Sequence, residues 1–232
     1  MICTIIGIGF VIYVLVGWVR GLFKVMISVA GLIASIVIAA YVAPHLSGFL
    51  QENTQIDDNI ASYIAEELQF SDLGEETSKG IQVALINELP LPESMKESIL
   101  NNNNSDMYKV LEVSGIYDYI AKSVAVVILN ALVFLILVFF CKLLFFFLGK
   151  AVKEFTSLPI IKGIDKLGGG LLGAIQGVIV IWIFFLILSV FSASEWAKEC
   201  ILQINQNLPL KLLYENNILL DIVGDLTKVL FL

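Results

Sequence analysis

Four long apolar runs govern what this chain can fold into: Ile2–Val19, Val25–Ala43, Ile120–Leu148 and Leu171–Phe191. A helix rises 1.5 Å per residue, so about 20 residues cross the roughly 30 Å of hydrocarbon in a bilayer. None of the runs alternates apolar and polar residues with period two, and open sheet edges are not tolerated in lipid, so strands are excluded. Composition agrees. Hydrophobic residues make up 58% of the chain, charged residues only 15%, and the mean hydropathy is +0.90. Such a chain has too little polar surface to cover itself in water. The expected fold is an all-α integral membrane protein with four transmembrane helices, a helical extracytoplasmic insertion and a C-terminal amphipathic tail.

The runs divide the chain into four parts. Residues 1–45 form a transmembrane helical hairpin, joined by the short link Arg20-Gly21-Leu22-Phe23-Lys24 and closed at Pro44. Residues 46–119 are an acidic segment. Residues 120–191 hold the second transmembrane pair with a basic link, and residues 192–232 are the tail. At 1.5 Å per residue the third run would span about 44 Å, so tilt or continuation past the membrane as a Phe-rich interfacial piece is expected. The first run has no charge ahead of it, and Arg20 and Lys24 follow it. That is the reverse of a secretory leader, so it reads as a retained helix.

Net charge is -7, which speaks against nucleic acid, but the distribution is more informative. The first short link carries Arg20 and Lys24 and no acid. The second carries Lys142, Lys150, Lys153, Lys162 and Lys166 against Glu154 and Asp165. Residues 46–119 hold fourteen acids against Lys79, Lys96 and Lys109. The positive-inside rule places both short links in the cytoplasm. Both termini and the acidic segment are then extracytoplasmic.

The insertion reads as short helices. Ile60, Ile64 and Leu68 recur behind Asp57 and Asp58, and Ile81, Leu85 and Leu89 repeat the pattern. Pro90 and Pro92 break it, Pro92-Glu93 can open another helix, and Asn101–Asn104 is a polar loop. Two stretches of the tail carry apolar residues at helical spacing, which suits a helix on the outer interface better than a fifth crossing past Asp221, Asp225 and Lys228.

Catalytic patterns are not found. His45 is the lone histidine, and no HExxH, GxSxG, CxxC or phosphate loop occurs, so neither a cofactor nor a metal is expected. Cys3, Cys141 and Cys200 read as apolar residues. Paired acids such as Asp57-Asp58 read as a solvated face. The strongest local signal is Gly168, Gly169, Gly170, Gly173 and Gly177, which open the fourth run. Gly169, Gly173 and Gly177 share one helix face, a spacing that lets backbones approach closely in lipid. The second run has Gly31, Ser35 and Ala39, and the first has Gly7, Gly9 and Gly17. Asn130 and Gln176 lie inside spans and suit interhelical hydrogen bonds. Lys122 and Lys142 can snorkel. Arg20 can snorkel or pair with Asp165.

Gly17-Trp18-Val19-Arg20-Gly21, then Leu158-Pro159, Asp165 and Gly168-Gly169-Gly170-Leu171-Leu172-Gly173-Ala174-Ile175-Gln176-Gly177, follow an order that resembles the colicin V production (CvpA) family of bacterial inner-membrane proteins. The resemblance covers about residues 2–45 and 120–191. It implies a multi-pass protein of the bacterial cytoplasmic (inner) membrane, linked to bacteriocin production or export and to envelope maintenance; that the chain is not an enzyme is expected from the missing nucleophile, base and metal ligands. Gly17, Arg20, Gly21, Pro159, Asp165, Gly169, Gly173 and Gly177 are the positions expected to matter, through turn geometry, cytoplasmic anchoring and helix packing. The expected partners are the lipid bilayer, and either a second copy or envelope and secretion proteins meeting residues 46–119. A small oligomeric channel or transporter is the alternative.

Overall fold

The structure is a computed structural model and describes residues 2–67, 79–89, 91, 93–152 and 162–229. Its order is α1 (Ile2–Arg20), α2 (Leu22–Asn53), α3 (Ile56–Glu67), α4 (Lys79–Glu88), α5 (Glu93–Asn101), α6 (Ser105–Val110), α7 (Ile116–Val152), α8 (Lys162–Val190), α9 (Glu195–Asn205), α10 (Leu208–Glu215) and α11 (Ile218–Val229). No strand occurs among the described residues. Four helices, α1, α2, α7 and α8, are long and apolar enough to cross a membrane.

The spans run longer than the apolar pattern suggests. Pro44, expected to close the second span, lies inside α2, which continues to Asn53. A proline removes one backbone donor, and packed neighbours make that tolerable: Pro44 and Ala43 are both buried. Thr54 ends the helix by donating its N–H and its hydroxyl to the Leu50 carbonyl at 2.9 and 2.5 Å. The glycine cluster, expected to open the fourth run, sits inside α8. The first link is a single residue, Gly21, not five.

That joint does not make a packed hairpin. α1 lies mainly along α8, and α2 lies along α7 and α8, so α8 separates the first two helices over most of their length. The expectation of α1 paired with α2 gives way because the small residues that permit close approach are on α1 and α8.

Burial changes character along the bundle. On α7, residues 119–134 are almost all buried, whereas Phe139, Phe140, Leu144, Phe146, Phe147 and Leu148 are exposed. Counted about 20 residues from the Gly21 end, the hydrocarbon boundary falls near Val42 on α2, Asn130 on α7 and Leu186 on α8. Beyond it the long helices project and are wrapped by the short ones. Tyr119, Ile86, Met95, Ile204, Leu220 and Val223 form the deepest part of that cap. The cap needs a water-excluding core, while the other half faces lipid and needs none.

The short helices α6 and α10 start on local caps; of the sequence expectations for the short helices, Leu68, Pro90 and Pro92 lie outside the described residues. Asn104 caps α6, its side-chain oxygen accepting from the Asp106 and Met107 N–H groups at 3.1 and 3.0 Å. Pro209 sits in the first turn of α10, where a missing donor is harmless, behind the cap Asn207. At 11, 8 and 12 residues, α9, α10 and α11 are each too short to cross. They pack on the bundle and cap and bury Ile201, Ile204, Leu219 and Val223.

Candidate functional site

Among the described glycines, the tightest backbone contacts lie where α1 meets α8. A Cβ on Gly17 would meet the Gly169 carbonyl oxygen and stand 2.9 Å from the Gly173 Cα. One on Gly169 would meet the Gly17 carbonyl oxygen and lie 2.9 Å from the Gly21 Cα. One on Gly173 would lie 2.5 Å from the Tyr13 carbonyl oxygen. These neighbours are backbone atoms and cannot rotate aside. Further along, Gly177 faces the side chains of Phe10 and Tyr13 at 3.1 and 3.2 Å. The i, i+4 glycine series of α8 is therefore answered within the same chain by Gly17, and continues to the joint at Gly21. Gly7 and Gly9 take no part, since nothing lies within 4 Å of either position. On α2, Gly31 faces Phe145 of α7 at 3.4 Å instead.

Gly21 holds φ 83°, ψ 160°, a conformation essentially reserved for glycine. A Cβ there would also collide with the carboxylate of Asp165. That carboxylate stands in the first turn of α8 and beside the start of α2, so it faces two helix N-termini, where negative charge is stabilised. Among the described residues its Oδ1 is buried without a hydrogen-bond partner. The structure therefore brings together Gly17, Gly21, Asp165, Gly169 and Gly173, with Gly177 one turn further. Arg20 is exposed, and among the described residues it makes no ion pair with Asp165. The glycine backbone occupies that place. Pro159 lies outside the described residues.

Two polar seams hold the other helices. Near the Gly21 end, the Lys142 ammonium donates to the Ser28 carbonyl at 2.6 Å, and the Gln176 amide donates to the Ser28 hydroxyl at 3.4 Å. Ser28 thereby links α2 to both α7 and α8. Lys142 is half-buried here, its ammonium held by the Ser28 carbonyl near the Gly21 end. Near the opposite boundary, the Ser47 hydroxyl bonds the fully buried Asn130 amide oxygen.

A charged latch closes the cap. Lys122 of α7 is ion-paired with Asp57 at 2.8 Å and with Asp58, both in the first turn of α3. Asp57 is 5% exposed, so the reading of this pair as a solvated face holds only for Asp58. The sequence hid the latch because its charges are far apart along the chain. The only signal was a lysine placed near the end of an apolar run.

The tail is tied to α8. Trp182 donates its indole N–H to the Leu213 carbonyl, and Asn217 donates to the Trp182 carbonyl, both at 3.0 Å. The Tyr214 hydroxyl meets the Ser189 hydroxyl at 3.2 Å. Burial raises the Tyr214 pKa, with the Ser189 bond opposing in part. Gln203 of α9 accepts from the Ile2 N–H at 3.2 Å, which ties the start of α1 to the same surface. Among the described residues, no group of three or more His, Cys, Asp or Glu side chains could hold a metal ion.

Residues 112–213 match the family model described as Colicin V production protein. The matched stretch takes in α7, α8, α9 and most of α10. It contains Asp165 and the α8 glycines, whereas Gly17 and Gly21 lie outside it. The family matched is the one the sequence motifs resemble. No curated protein and no solved structure matches the chain.

Proposed function

We propose that this chain, a four-span helical protein carrying a colicin V production segment, supports bacteriocin production or export, or envelope homeostasis, as a non-enzymatic component of the bacterial inner membrane. The observation that carries the reading is the match over residues 112–213 falling on the third and fourth spans and the helices that follow them. The joint at Gly17, Gly21, Asp165, Gly169 and Gly173 is built for close backbone contact, which suits a scaffold. Both termini and the cap face the extracytoplasmic side, and the acidic insertion, residues 46–119, meets an envelope or secretion partner. Basic residues at the Gly21 end, among them Arg20, Lys24 and Lys166, are exposed and suit the cytoplasmic face.

The test is toxin release from colicin V-producing cells lacking their own member of this family, with and without this chain. Restored release that Gly173→Leu abolishes at equal membrane abundance is the expected result. Release indifferent to the chain would sink the reading. A second reading, an oligomeric channel, is favoured by the Lys142–Ser28–Gln176 seam, which sets polar groups in an otherwise apolar part of the bundle. Discrete currents from purified protein in planar bilayers would select it.

A further inference from the structure

An apolar groove of about 370 Å³ opens where the cap meets the bundle. Its wall is α3, through Ile56, Ile60, Tyr63 and Ile64. Its floor is Ile128 and Leu132 of α7, and its far side is the α8–α9 turn at Val190, Phe191 and Ala193. The polar groups on it are few, chiefly Asn59 and Ser194. The volume lies in the range of small-ligand sites, about 300–1,000 Å³.

Three observations say what fills it. The floor residues continue along α7 at helical spacing into Ile136, Phe139, Phe140 and Leu143, which are exposed and form the lipid-facing stripe of that span. The groove is thus the upper end of the bilayer contact surface and is continuous with it. It also sits at the hydrocarbon boundary, close to Asn130 on α7 and just past Leu186 on α8. Finally, Tyr63, Phe191 and Trp196 are about half exposed around its mouth, with the Phe191 and Trp196 rings 5.7 Å apart. Aromatic side chains of this kind mark the level of lipid headgroups.

We propose that this groove binds one acyl chain of a phospholipid from the surrounding leaflet. The ester end of the chain lies between α3 and the α8–α9 turn, and its methylenes run from there down along the α7 stripe. The latch from Lys122 to Asp57 and Asp58 pins the first turn of α3, so the wall is held in place on the side facing away from the groove. The inference needs only the membrane-spanning fold, and it stands or falls apart from the toxin-related role.

The experiment uses the full chain with its three tryptophans changed to phenylalanine, reconstituted in bilayers containing a phospholipid brominated on its acyl chain. Bromine quenches tryptophan on contact. A reporter at Tyr63→Trp, on the groove, should lose most of its emission, and a reporter at Ser62→Trp, on the opposite side of α3, should lose little. Adding Ile60→Phe to fill the groove should restore the Tyr63→Trp emission. Equal quenching of both reporters, or quenching untouched by Ile60→Phe, overturns the proposal. So does an unquenched Tyr63→Trp reporter in protein that runs as a dimer, since a second copy would then cover the groove. Circular dichroism of each variant separates lost binding from lost fold.

Discussion

At Gly173 the neighbouring atoms are backbone, so a side chain forces the helices apart instead of finding a rotamer. Overpacking of this kind costs about 1–3 kcal/mol, occasionally more. Gly173→Leu should therefore lower the thermal midpoint of the detergent-purified protein. Gly9→Leu, where nothing lies within 4 Å, should leave it unchanged. Equal effects at both positions would show that the α1–α8 contact is not formed. Gly21→Ala meets both a forbidden backbone conformation, worth about 1–3 kcal/mol, and the Asp165 carboxylate. Pairing it with Asp165→Ala should recover part of the loss, because only the collision is relieved. Lys122→Met leaves Asp57 buried without its cation, and breaking a buried pair in this way costs about 3–5 kcal/mol. Proteolysis within α3 should accelerate in that variant. Tyr214 offers a pH test. Its folded pKa is raised, so the stability it contributes is complete below its ordinary value of 10.0 and is lost as pH climbs from there. Trp182 emission should shift to the red above that pH as the tail detaches. Tyr214→Phe should blunt the shift.

At the scale of helices, the apolar runs located all four spans, because lipid imposes a length that composition reports directly. Their ends were not legible. α2 passes Pro44 and α7 extends back to Ile116 because packing against the cap, not lipid, holds those turns, and packing leaves no local mark. Of the short helices, α5 was legible because a proline and Glu93 announced it, whereas α6 follows a stretch that reads as a polar loop, and α10 opens at Asn207 and Pro209, which carried no helix signal in a pattern read for apolar spacing. The α8 glycine series showed a close contact but not its partner, since Gly7, Gly9, Gly17 and Gly31 are chemically alike. Only the fold selects Gly17. Polar residues inside spans were visible one by one. Ser47–Asn130 and Lys142–Ser28 were not visible as pairs, because each joins residues distant in sequence. The tail's amphipathic spacing was plain, but protein, not lipid alone, receives its apolar faces. Removing α11 should expose Leu219, Leu220 and Val223 partners on α5 and α7 and raise binding of a hydrophobic dye.

Taken whole, the molecule is half lipid-solvated bundle and half water-facing cap, and each half obeys its own solvent. Cysteines placed at Ser62 and Lys166, both exposed, test the orientation once Cys3, Cys141 and Cys200 are replaced. An impermeant reagent added outside should label Ser62→Cys and spare Lys166→Cys. The reverse pattern would invert the protein in the membrane. One further consequence comes from α1, which packs chiefly on α8 and whose Ile2 is tied to Gln203 across 201 positions of chain. During synthesis α1 leaves the ribosome well before α8 exists. Its glycine face therefore stays uncovered by its own partner until α8 has been translated. A quality-control protease or an insertion chaperone that shields that face would act in this interval.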